Sequence, residues 1–201
     1  MSSEGCPPLV VLAGPSGAGK TTIVDRLLAT TRLPIRRAIT ATTRAPRSGE
    51  LAGVHYHFWT RDEFERKLAA GEMLEHAVVH GRDYYGTPWD EVRVPRAAGT
   101  AVILVIDVQG AEQVRKVCPD GLVSVFLMPP VFDDLAERLR KRGEPEETIE
   151  RRLASAVNEA ARMGEFDHGM VNADVDTAAR ELERIIESRF PQTRSATCSS
   201  N

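Results

Sequence analysis

Eight residues near the start of the chain, Gly14-Pro15-Ser16-Gly17-Ala18-Gly19-Lys20-Thr21, match G-x-x-x-x-G-K-[ST] in full. The chemistry of that pattern is phosphate binding. Its glycines let the backbone wrap a phosphate chain where a Cβ would obstruct it. Backbone N–H groups and a helix N-terminus offer that chain positive potential. Lys20 adds a point charge on the phosphate that moves, and the Thr21 hydroxyl can ligate Mg²⁺. Lys20 is expected to face solvent until phosphate arrives. The pattern sits between an apolar run, Leu9–Ala13, and a segment of helical period, Lys20–Thr30, which is the context it requires. The competing reading is a glycine-rich turn without a ligand. Agreement of every fixed position with that context argues against it. The motif assigns nucleoside-triphosphate binding and leaves the acceptor open.

Three further groups can do chemistry. Asp107 follows the apolar run Ala101–Ile106. A carboxylate at the end of such a strand is where P-loop proteins hold the metal's water shell. It can equally be the cap of a helix starting near Gln109. Arg44 and Arg47, three apart in Thr40-Ala41-Thr42-Thr43-Arg44-Ala45-Pro46-Arg47, can grip a phosphate as a fork pair. Tyr56 and Tyr84-Tyr85 can add hydrogen bonds to it. The alternative there is a solvated basic loop. Glu75, in Glu72-Met73-Leu74-Glu75, places a carboxylate among apolar neighbours. A carboxylate accepts hydrogen bonds and does not donate them. Guanine offers two adjacent donors, N1–H and the 2-amino group, whereas adenine N1 would meet the carboxylate as acceptor against acceptor. Glu75 is expected to be unprotonated at neutral pH; the alternative is a surface or salt-bridge residue.

Positioning these groups requires a layered frame. Leu9–Ala13, Ala101–Ile106 and Leu122–Leu127 are continuously apolar, as parallel strands covered on both faces must be. They alternate with helical segments at Lys20–Thr30, Asp133–Lys141, Glu146–Met163 and Val175–Ser188. The fold class is therefore α/β, a parallel sheet with helices on both faces. Residues from Thr40 to about Val94 differ: Arg, Tyr and Gly clusters, short alternating stretches such as Val54–Trp59, and one helix opened by the capping box Thr60-Arg61-Asp62-Glu63. We read them as a small α+β insert in the parallel core.

Composition bounds the reading. The chain has 201 residues, 26 basic against 29 acidic, net −3. That length suits one domain or one core with a small insert, and no basic excess points to a nucleic-acid polymer or membrane surface. Cys6, Cys118 and Cys198 lack C-x-x-C spacing, so a reducing cytoplasm is expected rather than a disulfide or zinc framework. No apolar run approaches the ~18 residues of a membrane span. The Ser/Thr-rich tail 191–201 is expected to be disordered.

Together these segments resemble guanylate kinase, a nucleoside monophosphate kinase family, over roughly Leu9 to Phe190. The resemblance rests on the P-loop, on Thr42-Thr43-Arg44-Ala45-Pro46-Arg47-Ser48-Gly49-Glu50, on Gly53-Val54-His55-Tyr56-His57-Phe58, on Tyr84-Tyr85-Gly86-Thr87-Pro88, on Ile106-Asp107-Val108-Gln109-Gly110, and on the stretch from Arg138 to Leu153. It implies a P-loop NTPase fold with a nucleotide-monophosphate-binding insert and a helical lid. The expected division is a tail 1–8, a core of 9–39, 95–132 and 156–190, an insert 40–94 and a lid at about 133–155. ATP would be held by Gly14 to Thr22 (Gly14, Pro15, Ser16, Gly17, Ala18, Gly19, Lys20, Thr21, Thr22) and by Asn172. GMP or dGMP would be held by Thr40, Arg44, Arg47, Tyr56, Glu75, Tyr85, Thr87 and Asp107. Mg²⁺, carried with ATP, would meet Thr21 and Asp107. Lys20, Arg44 and the lid arginines Arg138, Arg142 and Arg152 would neutralise charge during transfer. The resemblance implies no nucleic-acid or membrane partner, and a monomer or homo-oligomer.

Three positions depart from the family pattern. Val105 stands where an acidic residue is usual, His76 where tryptophan is common, and the Gly81-Arg82-Asp83-Tyr84 turn is one residue longer. On a strand, 105 and 107 share a face, so the site offers one carboxylate where the family offers two. Two other readings follow: a related P-loop kinase with another acceptor, such as a ribose bisphosphate, or a non-catalytic guanylate-kinase-like binding module. Intact Lys20 and Thr21 argue against the module, and the retained guanine and phosphate readers against the other acceptor.

Overall fold

A computed structural model of the chain describes residues 6–79, 82–141, 143 and 145–190. The apolar run Leu9–Ala13 forms strand β1, fully buried along its length, and leads through the glycine-rich turn into helix α1 (Lys20–Thr30). The chain then makes short strands β2 (Ile35–Arg37), β3 (Ala41–Thr42) and β4 (His57–Phe58), helix α2 (Arg61–Ala69), and strands β5 (Met73–Val79) and β6 (Asp83–Pro88). Helix α3 (Asp90–Ala97), β7 (Ala101–Val105), α4 (Val108–Val117) and β8 (Leu122–Met128) return it to the core. Two helices, α5 (Asp133–Lys141) and α6 (Glu146–Ala161), a 3-10 turn at Met163–Glu165, β9 (His168–Val171) and α7 (Val175–Glu187) follow.

The core sheet has strand order β2-β7-β1-β8-β9 and every pair in it is parallel. The two-residue period of β1 explains why it is apolar throughout. Val10 and Leu12 pack against Ile23 and Leu27 of α1 and Leu182 and Ile186 of α7. Leu9, Val11 and Ala13 face the other way, onto Val92 of α3 and Val108, Ala111 and Val114 of α4. Helices thus cover both faces, as the sequence requires.

A second sheet, ordered β4-β3-β6-β5, pairs β3 with β4 in parallel and β3–β6 and β6–β5 antiparallel. Its own small core joins Ala41, Phe64 and Met73 with Trp59, Leu68 and Tyr84. Thr60 caps α2 by accepting from Glu63 N–H at 3.2 Å, as its capping box specifies. Gly86 is required where β5 and β6 cross α2: a Cβ there would lie 2.6 Å from the Glu75 carbonyl oxygen and 3.0 Å from Phe64.

Several sequence boundaries shift. The strand expected to reach Ile106 ends at Val105, because Asp107 already caps α4. The helix expected to run to Met163 ends at Ala161, and the chain tightens into the 3-10 turn around Gly164. Strands β2 and β9 at the edges of the core sheet are too short for periodicity to reveal. The alternating stretch Val54–Trp59 yields only a two-residue strand, His57–Phe58, and one isolated bridge from Tyr56 to Ala52. The tail 191–201, expected to be disordered, lies outside the described residues.

Candidate active site

Beyond β1 the chain turns through three glycines with left-handed backbone, Gly14, Gly17 and Gly19. Two of them also admit no side chain. A Cβ on Gly14 would sit 2.2 Å from the Leu127 carbonyl oxygen, and one on Gly19 2.3 Å from the Asn172 amide nitrogen. Asn172 is buried and donates to the Ala18 carbonyl at 2.7 Å, so it braces the loop from the end of β9. The expectation that Lys20 faces solvent is corrected. Its Nζ curls over the loop and donates to the Gly14 and Pro15 carbonyls at 2.5 and 3.0 Å. An ammonium carries three donors and no acceptor, and here it takes the nearest loop oxygens. Thr21 and Thr22 are exposed on the first turn of α1.

The loop has a cleft on each side. The first, about 380 Å³, is lined by Gly14, Ser16 and Lys20 of the loop and by Thr40, Tyr56, Glu75, Tyr85, Val105, Asp107 and Glu159. Glu75 is 5% exposed. The Thr87 hydroxyl, fully buried, donates to its Oε1 at 2.7 Å. Burial, reinforced by the charge of Asp107 and opposed by the Thr87 bond, pushes the Glu75 carboxyl up to about 7. The expectation of a fully unprotonated Glu75 at neutral pH is therefore corrected. Desolvation disfavours its charged form until donors reach it. Asp107 does what its competing reading required: its Oδ1 accepts the Gly110 N–H at 2.8 Å and caps α4. It is nonetheless exposed to the cleft beside Lys20.

Arg44 adjoins this cleft through Tyr85, to whose hydroxyl its Nε donates at 3.0 Å. Both Nη groups fork onto Glu50 at 2.7 Å, and the guanidinium lies over the Tyr56 ring at 5.1 Å. The pairing raises Arg44 further and holds Glu50 down at about 2, so both stay charged. Glu50 also accepts the Arg47 backbone N–H at 2.7 Å. The Arg47 residue itself is exposed, beside the fork.

The second cleft, about 390 Å³, is lined by Gly17, Gly19 and Thr22 of the loop and by Arg138, Lys141, Asn172, Ala173 and Val175. Two of the arginines expected on a lid reach the loop directly. Arg138 donates to the Gly17 carbonyl at 3.2 Å and Arg152 to the Ser16 hydroxyl at 2.5 Å. Arg142 lies outside the described residues.

Of the residues singled out from sequence, Thr40, Tyr56, Glu75, Tyr85, Thr87 and Asp107 come together around one cleft, with Arg44 next to them. Asn172 and Arg138 gather at the other. Thr21 and Asp107 supply hard oxygens, and no group of three or more His, Cys, Asp or Glu that could hold a metal exists among the described residues. That sparse donor set fits Mg²⁺ arriving on phosphates, since Mg²⁺ keeps much of its water and takes one or two protein ligands.

Sequence reasoning missed four residues. Glu50 ends a quoted motif, but nothing in the sequence shows that it would occupy Arg44. Glu159 of α6 enters the first cleft, with its carboxyl raised by burial against the pull of a Ser155 bond and the Lys20 charge. Glu91 of α3 holds Arg36, the Ile39 N–H and His57 where the chain passes between the two sheets. Gln113 of α4 binds the backbone of His76. Each lies on an otherwise ordinary polar helix face or loop, so only the fold reveals it.

A family model described as guanylate kinase matches residues 7–189. The chain is 41% identical over 185 residues to a guanylate kinase of Granulibacter bethesdensis, covering 92% of this chain and 86% of that one. It is 45% identical over 181 residues to one from Neisseria gonorrhoeae, covering 90% and 87%. A crystal structure of guanylate kinase from Anaplasma phagocytophilum superimposes with TM-score 0.77 at 31% identity, covering 94% of this chain and 89% of that one. A gluconokinase structure from Sinorhizobium meliloti, at TM-score 0.50 and 19% identity, covering 90% and 93%, shares the fold alone.

Proposed function

The chain belongs to the guanylate kinase family and transfers a phosphoryl group from ATP to GMP, and from that premise we propose how its two clefts divide the work. One observation carries the division. The same glycine-rich loop lines both clefts, with Gly14, Ser16 and Lys20 on one side and Gly17, Gly19 and Thr22 on the other. A phosphate chain lying along the loop therefore has the acceptor on one side and the donor base on the other. GMP or dGMP takes the first cleft. Glu75, held by Thr87, accepts from guanine N1–H and the 2-amino group, with Thr40 and Asp107 beside the base. Arg44, Arg47, Tyr56 and Tyr85 take the acceptor phosphate. MgATP takes the second cleft, its base near Asn172.

Transfer is direct, with no covalent enzyme intermediate. The acceptor oxygen is already anionic, so no strong general base is required, and positioning with charge neutralisation carries the catalysis. Thr21 and Asp107 would hold Mg²⁺ arriving with ATP, which would neutralise charge on the phosphates. Lys20 exchanges its loop carbonyls for phosphate oxygens. Arg138, Arg142 and Arg152 of the lid, about 133–155, close over the donor while the insert 40–94 closes over GMP, which excludes water. We place the protein in the cytoplasm, where Cys6 and Cys118, free in the fold, stay reduced. Nothing in the site or the family match favours a ribose bisphosphate acceptor or a non-catalytic module.

The test is ADP release across GMP, dGMP, IMP, AMP and a ribose bisphosphate. A site built on specific donors can reject an analogue lacking them by up to ~10⁴-fold. GMP and dGMP should turn over, IMP poorly and AMP least. AMP or the ribose bisphosphate as good as GMP would overturn the acceptor assignment.

A further inference from the structure

The base-reading strand is anchored in an unusual way. In the four-stranded sheet β5 is an edge strand, with β6 on one side and, among the described residues, no strand on the other. An edge leaves a row of backbone donors and acceptors unpaired. At His76, next to Glu75, that edge is met by the Gln113 side chain from α4. The His76 N–H donates to Gln113 Oε1 at 3.1 Å, and Gln113 Nε2 donates to the His76 carbonyl at 2.8 Å. A primary amide thus makes both bonds that a neighbouring strand would make. Only one orientation of the amide serves both partners.

The residues on either side explain why such a clamp matters. Met73 pairs with Pro88 and Glu75 with Thr87, so β5 advances two residues where β6 advances one. The bulge makes Met73, Leu74 and Glu75 buried in succession and turns Glu75 into the cleft. A bulge interrupts the ladder that would otherwise fix a strand in place. One helical turn before Gln113, and on the same side of α4, Gly110 lies against the carboxylate: a Cβ there would be 3.0 Å from Glu75 Oε2. Glu75 is therefore held between a bulge that aims it and a clamp that stops the strand from drifting off α4.

We propose that Gln113 is a positioning residue for base selection, its side-chain amide clamping the free edge of β5 so that both Glu75 oxygens meet the two guanine donors. The inference rests on Glu75 as the guanine reader. Guanine needs two acceptors at once, and IMP needs one. A strand that shifts by a fraction of an ångström loses the second contact before the first. The ratio of kcat/KM for GMP over IMP therefore reports the clamp.

The test uses Gln113→Leu, which keeps the bulk and removes both bonds, and Gln113→Glu, which keeps the acceptor and loses the donor. The full chain carries each substitution, with Glu75→Gln in parallel and combined with Gln113→Leu. Misplacement on this scale costs about 10- to 100-fold. Each Gln113 variant should lose about 10-fold or more in GMP/IMP ratio, mainly through KM for GMP, with KM for ATP unchanged. In the Glu75→Gln background, Gln113→Leu should no longer alter the ratio, as expected of residues acting in series. Lowered activity on GMP and IMP alike would overturn the proposal, because it is what a merely structural residue gives. So would an unchanged ratio in Gln113→Glu should Gln113→Leu fail to fold. If Glu75→Gln itself leaves the ratio unaltered, the reading of Glu75 fails instead, and the two failures are told apart.

Discussion

As the proposed guanine reader, Glu75 answers two demands that oppose each other. Reading guanine needs a carboxylate in a dry cleft, and folding disfavours one there. Its carboxyl is pushed from 4.5 to about 7, chiefly by burial. Below about pH 4.5 both folded and unfolded chains hold the proton, and there is no penalty. As pH rises toward 7 the unfolded chain releases it while the folded chain retains it, so stability falls, and above 7 the loss levels off. The gap between 4.5 and about 7 corresponds to about 3 kcal/mol. Glu75→Gln keeps an acceptor for the Thr87 hydroxyl and removes the titration. The variant should be more stable than the parent by up to about 3 kcal/mol at pH 8 in urea unfolding, and nearly equal well below pH 4.5, while losing GMP activity. A stability difference of the same size at both pH values would sink the account.

At the scale of elements, the segment between β3 and β4 builds the proposed acceptor-phosphate fork largely from itself. Guanidinium has five N–H donors. Glu50, the Ala45 carbonyl and the Tyr85 hydroxyl engage four of those on Arg44. The fork is thereby fixed in direction before substrate arrives, with a donor remaining for phosphate. Glu50 neutralises much of its charge, so the fork orients more than it attracts. Removing one member of a desolvated charge pair costs on the order of 2–5 kcal/mol. Arg44→Ala should lose at least ~30-fold in kcat/KM for GMP. Binary ATP affinity, measured by calorimetry, should hold. Equal weakening of ATP binding would move Arg44 to the donor side.

Across the whole molecule, α5 and α6 bring arginines from far along the chain onto the loop after β1. Arg152 meets the Ser16 hydroxyl and Arg138 the Gly17 carbonyl. These bonds set α5 and α6 against the loop, and in the proposed reading phosphates share or displace them. An arginine that stabilises charge only during transfer contributes to kcat rather than to ground-state affinity. Arg152→Ala should lower single-turnover transfer about 100-fold with little change in ATP affinity. A raised KM for ATP at unchanged kcat would instead mark Arg152 as a plain binding group.

The sequence by itself determined the parallel core, because strands buried on both faces must be apolar throughout, as Leu9–Ala13 is. It also determined the phosphate loop, because its chemistry depends on residue type at fixed local spacing. Arg44, Tyr56 and Tyr85, singled out by residue type, meet one another in the fold. What the tertiary structure alone decided depends on contacts between distant segments. The bulge at Leu74 aims Glu75, and no local pattern separates it from a regular strand. Gln113 clamps that strand from another helix, Glu50 claims Arg44, and Asn172 braces Ala18 from the far edge of the core sheet. The protonation of Glu75 belongs to the same class: its residue type names a carboxylate, and only the depth at which the fold buries it decides its charge.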